Sequence, residues 1–178
     1  MIQKIILSGF GGQGVLSAGL MLAEAAMLGG LSSTYFPAYG AEMRGGTANC
    51  SVVISDNAIA SPIVTEIDIL IALNKPALEK FSPRVKDGGV IIYNSSLIKE
   101  KYESPNVKAI AVPAEDLALE KFNNPKIANV IILGAFIKQT GTIKMEKLKE
   151  SIKEKFNKKG EKIIQLNYLA LELGYNYI

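Results

Sequence analysis

Residues 4–36 read KIILSGFGGQGVLSAGLMLAEAAMLGGLSSTYF, and this stretch decides the fold. It opens with a short apolar run, residues 4–8, which ends in glycines and is typical of a buried strand. Residues 13–28, rich in Ala, Leu and Met, predict a central helix that two glycines end. Residues 31–36, rich in Ser, Thr and aromatic side chains, predict a second strand that ends at Pro37. Strand, glycine turn, helix and strand in this order predict a βαβ unit.

The rest of the chain continues to alternate strand and helix patterns. Apolar or β-branched runs predict strands at residues 48–55, 58–60, 67–73, 90–93 and 108–112. Helical patterns are found directly after Pro113 and at residues 76–85, 126–139, 145–156 and 161–173. An Asp-Gly-Gly turn at residues 87–89 precedes one of the strands. We therefore predict a single Rossmann-like α/β domain over residues 1–178, with three layers and a mostly parallel sheet.

The composition narrows the chemistry that this chain can perform. Histidine is absent and Cys50 is the one cysteine, so the commonest general base is missing. An internal disulfide and an iron–sulfur or zinc cluster held by this chain alone are also excluded. Any chemistry near the protein should therefore come from a cofactor or a partner. The hydrophobic fraction of 48% and the mean hydropathy of +0.20 favour either an apolar surface meant for another chain or a tight core.

Charge and hydropathy argue against nucleic-acid and membrane partners. Residues 144–162 hold eight Lys against four Glu, and we interpret them as a solvated helix face. Residues 14–31 form the most apolar stretch, but Glu24 near its centre would cost about 2.5–3.5 kcal/mol inside a bilayer. The first residues lack the long apolar core and cleavage site of a signal peptide. We therefore expect a cytoplasmic protein.

The glycine turn GFGGQG, residues 9–14, has the spacing G-x-G-x-x-G after a predicted strand and before a predicted helix. Such a turn can offer backbone N–H groups and a helix N-terminus to a phosphate. It can also serve only to reverse the chain sharply, and both interpretations remain open. Gln13, a large amide among glycines, favours a phosphate or a partner backbone as its target. Residues 25–41 contain no acid to bind a ribose, which disfavours dedicated NAD binding.

A second glycine-framed segment, YGAEMRGG, spans residues 39–46 and holds Arg44, one of only two arginines. The planar guanidinium suits a carboxylate or a phosphate. In one interpretation Arg44 pairs with Glu42 and merely orders the loop. In the other, the loop lies above the carboxyl edge of the sheet beside the glycine turn, where open α/β sheets bind ligands. Tyr39 fits either a packing role or this site.

The two segments together resemble a known family. GFGGQGVLSAGLMLAEAA and FPAYGAEMRGGTANCSVVIS, followed by NVIILGAF at 129–136 and KGEKIIQLNYLALELGY at 159–175, are similar to the gamma subunit of 2-oxoacid:ferredoxin oxidoreductases. The similarity covers essentially the whole chain. In larger members of the family the same unit is one domain of a longer chain. The GGQG and EMRGG motifs are closest to the 2-oxoglutarate and branched-chain types, and we favour the 2-oxoglutarate type.

The resemblance implies an accessory subunit of an enzyme that converts a 2-oxoacid, CoA and oxidised ferredoxin into acyl-CoA, CO2 and reduced ferredoxin. It implies alpha, beta and in some complexes delta partner subunits, which carry thiamine diphosphate and the iron–sulfur clusters. This chain would hold no cofactor alone and no metal, and would have no catalytic residue. It would pack on the thiamine-bearing subunits and help to form the CoA-side crevice. The residues expected at that crevice are Gly11, Gly12, Gln13, Gly14, Tyr39, Glu42, Arg44, Gly45 and Gly46.

Other interpretations stay open at this stage. The chain could serve a pyruvate, branched-chain 2-oxoacid or indolepyruvate enzyme instead, and it could form a homodimer when isolated. It could be a free-standing FAD- or NAD-binding enzyme, or a scaffold with both glycine segments buried against partners. Among single residues, Cys50 is interpreted as a small buried apolar side chain. Asn74 and Asn94 follow predicted strands and fit either a helix cap or turn, or a ligand site.

Overall fold

The computed structural model describes residues 1–39 and 47–178, without the side chain of Tyr39. These described residues form six strands: β1 (Ile2–Phe10), β2 (Ser32–Tyr39), β3 (Thr47–Ser55), β4 (Ile67–Ala72), β5 (Val85–Asn94) and β6 (Lys108–Val112). The same residues form the α-helices α1 (Val15–Leu28), α2 (Lys75–Phe81), α3 (Ala114–Phe122), α4 (Ala128–Thr140), α5 (Met145–Phe156) and α6 (Glu161–Tyr177). Short 3-10 turns cover Ser82–Arg84, Pro125–Ile127 and Asn157–Lys159.

All six strands form one sheet in the order β2-β3-β1-β4-β5-β6. β1, β4, β5 and β6 pair in parallel. β3 is antiparallel to both of its neighbours, β1 and β2. β2 therefore runs in the direction of β1, and the predicted βαβ unit exists with β3 inserted between its two strands. The prediction of a mostly parallel α/β sheet is confirmed.

Helices cover the two faces of the sheet unequally. The larger core cluster joins one face of the sheet to residues of α1, α3, α4, α5 and α6. The smaller cluster joins the other face to α2 and to the chain around Val64 and Ile98. Alternation along β1 supplies both clusters, with Ile5 and Leu7 on one face and Ile6 on the other. The predicted three layers are present, and within the described part of the chain one of them contains α2 as its single α-helix.

The strands differ from the sequence predictions most clearly at β2, at β5 and at residues 58–60. β2 continues through Pro37 to Tyr39, because β2 is the edge strand and proline is tolerated where one side of the strand needs no ladder bond. The predicted turn at 87–89 lies within β5, where Gly88 has a φ of 78° beside a register shift relative to β4. Residues 58–60 form no strand.

The helix predicted at 126–139 begins two residues later, after a 3-10 turn. The Asn124 side chain accepts a hydrogen bond from the Lys126 N–H at 3.1 Å, and Pro125 follows the cap. The Asn-Pro pair therefore starts the Pro125–Ile127 turn, which leads directly into α4. The amphipathic helix predicted at 145–156 is confirmed as α5.

Helices α4 and α6 cross with their backbones in close contact. A Cβ atom added to Gly134 would lie 2.1 Å from the Leu171 carbonyl oxygen, and one added to Gly174 would lie 1.7 Å from the Ile131 carbonyl oxygen. Real Cβ atoms do not approach other atoms so closely, so only glycine fits at either position. This crossing joins two of the stretches quoted above, 129–136 and 159–175, through one contact.

The helices of the described residues give no candidate for a membrane span. None of them has both the length and the apolar composition that crossing a bilayer requires. Glu24, which interrupts the apolar stretch at 14–31, lies in α1 and accepts a hydrogen bond from the Ser151 hydroxyl of α5 at 3.0 Å. The carboxylate therefore bridges two helices of the larger core layer.

Cys50 is fully buried on β3, and burial raises the pKa of its thiol to about 12. This agrees with its interpretation as a small apolar core residue. At pH 8 only about one thiol in ten thousand would then be ionised. We expect no reaction of the native protein with a thiol-specific chromogenic disulfide within an hour at pH 8, and rapid reaction of one thiol in guanidinium. Fast labelling of the native protein would contradict this.

Candidate functional site at the glycine turn

The turn between β1 and α1 depends on glycines in left-handed backbone conformations. Gly12 has a φ of 100° and Gly14 a φ of 72°, a region that side chains strongly disfavour. The Gln13 N–H donates to the Phe10 carbonyl at 3.2 Å and closes the turn. Gly14 is the N-cap of α1 and provides no side-chain hydrogen bond to the first turn of the helix. Among the described residues, no capping side chain therefore covers the helix N-terminus that the turn presents.

Gln13 points into its own chain. Its Oε1 accepts hydrogen bonds from the Phe10 N–H at 2.7 Å and from Asn74 Nδ2 at 3.2 Å. Its Nε2 donates to the Leu73 carbonyl at 3.3 Å and to Glu115 Oε1 at 3.4 Å. An amide has two N–H groups and two lone pairs, so all four are used. Gln13 therefore shapes the turn, and its amide has no capacity left for the phosphate or partner expected from the sequence.

Two asparagines support the turn from neighbouring elements. Asn74 is 3% exposed, and its Oδ1 caps α2 by accepting from the Ala77 N–H at 2.9 Å. This agrees with the helix-cap interpretation, and the same amide also holds Gln13. Asn129, in the first turn of α4, donates from Nδ2 to the Gly14 carbonyl at 3.1 Å. The turn is therefore fixed at Gln13 from the end of β4 and at Gly14 from α4.

A cleft of about 200 Å³ opens beside the turn at the carboxyl edge of the parallel strands. Its walls come from the glycine turn, from the ends of β4 and β5, and from the starts of α3 and α4. The polar groups at the cleft belong to Gln13, Asn94, Glu115, Lys126 and Asn129. Glu115 is half-buried and Lys126 is exposed. Among the described residues, the lining of the cleft thus contains one carboxylate and one ammonium together with several amides.

The ends of the arginine segment reach the same edge of the sheet. β2 ends at Tyr39 and β3 begins at Thr47, which pairs with Phe10 at the start of the glycine turn. Tyr39 pairs with Ala48 through its backbone. The predicted site residues Glu42, Arg44, Gly45 and Gly46 lie within residues 40–46, outside the described residues. The convergence of Arg44 with Gln13 therefore stays a prediction, while the two flanking strands do converge on the turn.

The strand order explains why the motif lacks its ribose-binding acid. In a dinucleotide fold the strand after the first helix lies next to the first strand and carries the acid beside the turn. Here β3 occupies that place, and β2 lies two strand spacings, roughly 10 Å, from β1. Thr47, at the near end of β3, is not an acid. The geometry agrees with the sequence argument against dedicated NAD binding.

Sequence reasoning missed three residues of the cleft: Glu115, Lys126 and Asn129. The sequence could have indicated Asn129, because it is a polar residue at the start of an apolar helical block. Glu115 and Lys126 follow prolines at helix starts, positions that need no function to explain them. Within the described part of the chain, no group of three or more His, Cys, Asp or Glu side chains could hold a metal ion.

Replacing Gln13 by Glu should make stability depend on pH. The variant keeps Oε1 but places a second oxygen opposite Leu73 O and the Glu115 carboxylate, so the pKa of the new carboxyl should rise. A raised folded pKa means that the folded state binds the proton more tightly. The variant should therefore lose stability as pH rises above about 4.3. We expect urea unfolding to show about 1–2 kcal/mol more destabilisation at pH 7 than at pH 4.

Gln165→Glu is the matched control for this experiment. Gln165 is exposed on α6 and donates to Glu161 Oε1 at 2.6 Å, so the same change places two carboxylates together in water. Solvent screening should limit its effect to a few tenths of a kcal/mol. Equal pH responses of the two variants would show that the Gln13 amide is not held as described.

The sheet, the glycine turn and its cleft define a Rossmann-like α/β domain without the strand arrangement of a dinucleotide enzyme. The chain belongs to the pyruvate ferredoxin/flavodoxin oxidoreductase family, whose model matches residues 4–177. This confirms the resemblance drawn from the two glycine-framed segments.

Relatives of known name include the ketoisovalerate oxidoreductase subunit VorA and the 2-oxoglutarate synthase subunit KorC. The chain is 43% identical over 172 residues to the ketoisovalerate oxidoreductase subunit VorA of Methanothermobacter thermautotrophicus, covering 96% of this chain and 35% of that relative. It is 35% identical over 177 residues to the 2-oxoglutarate synthase subunit KorC of Methanocaldococcus jannaschii, covering 98% and 93%. The chain thus spans about a third of the VorA relative and nearly all of the KorC relative.

Solved structures share the fold. The gamma subunit of a keto/oxoacid ferredoxin oxidoreductase from Geobacter sulfurreducens superimposes with a TM-score of 0.83 at 31% identity, covering 98% of this chain and 96% of that one. A 2-oxoglutarate:ferredoxin oxidoreductase from Magnetococcus marinus, solved with 2-oxoglutarate, coenzyme A and succinyl-CoA bound, gives a TM-score of 0.90 at 29% identity. This chain covers 30% of that chain, and 98% of this chain is matched.

Proposed function

We propose that this chain is the gamma subunit of a cytoplasmic 2-oxoacid:ferredoxin oxidoreductase. The observation that carries the proposal is the match to a separate gamma subunit, which covers 98% of this chain and 96% of that one with a TM-score of 0.83. The complex would oxidise a 2-oxoacid with CoA to acyl-CoA and CO2 and reduce ferredoxin. Thiamine diphosphate and the iron–sulfur clusters would be carried by alpha, beta and delta partners. This chain would pack on the thiamine-bearing subunits without catalysing a step itself.

We assign 2-oxoglutarate as the oxoacid. The KorC relative is matched over nearly its whole length, and a 2-oxoglutarate enzyme gives the TM-score of 0.90. Ketoisovalerate is the second candidate, since the VorA relative is more similar in sequence at 43% identity. Assaying the purified complex with each oxoacid separates them, because the assigned one should give the higher kcat/KM.

Co-purification from the native cell tests the proposal directly. A tagged copy of this chain should bring down partner chains that contain thiamine diphosphate and reduce ferredoxin on addition of a 2-oxoacid and CoA. Recovery of the chain alone, together with a rise in melting temperature on addition of NAD(P)H, would support a free-standing nucleotide enzyme instead.

The CoA-side crevice is the finer part of the proposal. Its residues would be Gly11, Gly12, Gln13, Gly14, Tyr39, Glu42, Arg44, Gly45 and Gly46, with Gln13 acting by shaping the turn. Arg44→Lys keeps the charge but loses the planar fork, so the KM for CoA should rise or turnover should fall. Arg84→Lys is the matched control: the other arginine donates to the carbonyls of Thr65 and Val64, beside α2.

The outcomes of the Arg44 experiment separate two roles. Unchanged turnover and an unchanged KM for CoA would remove Arg44 from the crevice. Arg44→Ala that releases free gamma on size exclusion would show instead that the arginine segment holds the complex together.

A further inference from the structure

Helix α6 carries a row of apolar side chains that the described residues leave partly open to solvent. Leu166, Leu169, Leu173 and Tyr177 follow one another at spacings of three and four residues, so they lie along one side of the helix. Leu169 is 54% exposed and Tyr177 is 46% exposed, while Leu166 and Leu173 are half-buried. We call this row the α6 stripe. The helix packs on the core through other residues, namely Ile164, Asn167, Ala170, Leu171 and Gly174.

Three lysines lie at the start of the α6 stripe and form a basic cluster. Lys158 and Lys159 precede α6, and Lys162 lies on the same side of the helix as the stripe, one turn before Leu166. All three lysines are exposed. Within the described part of the chain, none of them forms an ion pair. Their charges are therefore available to another molecule.

The fold itself does not account for the basic cluster. Two lysines of α5 form ion pairs with glutamates, as expected of a solvated helix face. Lys162 instead lies in the first turn of α6, at the positive end of the helix dipole, where a cation is unfavourable. Residues 144–162 hold eight Lys against four Glu, whereas the rest of the chain holds 12 basic and 13 acidic residues. The excess positive charge of the protein is thus concentrated in the segment that leads into the α6 stripe.

We propose that the α6 stripe and the basic cluster form one docking surface for a partner subunit of the oxidoreductase complex. The partner is apolar where it covers the stripe, and it carries Asp or Glu side chains where it meets Lys158, Lys159 and Lys162. Apolar contacts at the centre and polar groups at the rim are the usual anatomy of an interface. The charge pairs set the direction in which the partner lies along α6. The proposal rests on the proposed function for the source of the partner.

A second copy of this chain does not supply the required acids. Two α6 stripes paired antiparallel would place the basic cluster of one copy beside the last turn of α6 in the other. Residues 173–178 read LGYNYI and contain no acidic side chain. Parallel pairing would bring the two basic clusters together, and like charges repel each other. Charge complementarity therefore favours a different chain as the occupant.

Charge reversal in the basic cluster tests the proposal. Tagged full-length chains are recovered from the native cell, and the thiamine-containing chains that accompany them are quantified. We expect Lys158→Glu/Lys162→Glu to recover at least about fivefold less partner than the native sequence. Its melting temperature should not fall, because an acid suits the first turn of a helix. Lys80→Glu/Lys99→Glu is the matched control beside the smaller core cluster, and its recovery should stay within about twofold.

Leu169→Ser tests the apolar part of the same surface. The variant should also recover at least about fivefold less partner, because an exposed apolar anchor is lost. Ile63→Ser is its control: Ile63 is 65% exposed and precedes Val64, which packs on the other face of the sheet. Equal recovery of partner by either test variant and its control would overturn the proposal.

Two further measurements address other occupants of the surface. Sedimentation of the isolated chain should give the same oligomeric state for the native sequence and for Leu169→Ser. A dimer that Leu169→Ser dissociates would place a second copy on the stripe and overturn the proposal. Phosphatidylserine vesicles should not retain the native chain in a flotation assay. Retention that Lys158→Glu/Lys162→Glu abolishes would overturn it in favour of an anionic membrane surface.

Failure of the docking surface can be told apart from failure of the proposed function. If the native chain and all variants recover thiamine-containing partners equally, the docking surface is wrong and the complex stands. If the native chain recovers no such partner, the proposed function fails, and the occupant assigned to the α6 stripe fails with it.

Discussion

Replacing Gly174 by alanine should lower the free energy of unfolding by about 3 kcal/mol, the upper end of what overpacking usually costs. The added Cβ would lie 1.7 Å from the Ile131 carbonyl oxygen and 2.6 Å from its carbon, and both are backbone atoms that no rotamer change can move. α4 and α6 would have to separate along their whole contact. Thermal denaturation should show a drop of roughly 6–12 °C for a domain of this size.

The reciprocal variant and the double variant make the test specific. Gly134→Ala should cost a similar amount, since its Cβ would lie 2.1 Å from Leu171 O. Once one methyl group has separated the helices, the second should cost less, so the double variant should be less destabilised than the sum. Gly29→Ala is the control, because its nearest contact would be 3.2 Å and its φ of −83° suits alanine. Strict additivity would show that the two glycines do not share one crossing.

Local patterns predicted those elements well whose own residues specify the secondary structure without contacts to distant residues. The apolar run at 4–8, the glycines after it and the Ala/Leu/Met segment each specify one structure regardless of their neighbours. The same holds for α5, where Leu148 and Ile152 are buried while the lysines between and beside them are half-buried or exposed. These parts of the fold needed no knowledge of distant residues.

The strand order could not be predicted from the same patterns. Residues 48–55 read as a buried strand in either direction, and nothing local shows that they insert between β1 and β2. The predicted second strand ended too early, at Pro37, for the same reason. A proline is tolerated there because β2 is an edge strand, which is a property of the whole sheet. The bulge in β5 arises from its pairing with β4, which is also a long-range property.

The candidate site, like the fold, has one part that local sequence predicts and one part that depends on distant residues. Glycine spacing identified the turn, because the left-handed conformations of Gly12 and Gly14 demand that residue type. The partners of Gln13 could not be read from the sequence, since Leu73, Asn74 and Glu115 reach it from 60 to 102 positions away. Those contacts change the interpretation of Gln13 from a ligand-binding amide to the residue that fixes the turn.

Replacing Gly14 by alanine should destabilise the protein for two separable reasons. A φ of 72° costs a side chain about 1–2 kcal/mol. The new Cβ would also lie 2.5 Å from Asn129 Nδ2 and 3.0 Å from its Cγ, adding about 1–3 kcal/mol. Gly12→Ala isolates the first reason, because its φ is 100° but no atom of the described residues lies within 4 Å of the added atom. Urea unfolding should therefore give a clearly lower free energy of unfolding for Gly14→Ala than for Gly12→Ala.

Adding Asn129→Ala to the Gly14→Ala variant should restore the stability that the steric clash with Asn129 removes. It removes both clashing atoms and leaves the Asn129 Cβ at 3.6 Å, an ordinary contact. In the native background the same change should destabilise by about 0.5–1.5 kcal/mol, because the Gly14 carbonyl loses one of its two hydrogen bonds and keeps the one from the Ala18 N–H. The double variant should thus be more stable than the sum of the single variants by about 1 kcal/mol or more. Additive losses would mean that Asn129 of α4 does not pack against Gly14 of the glycine turn. The cleft between these two elements would then lack a rigid wall on that side.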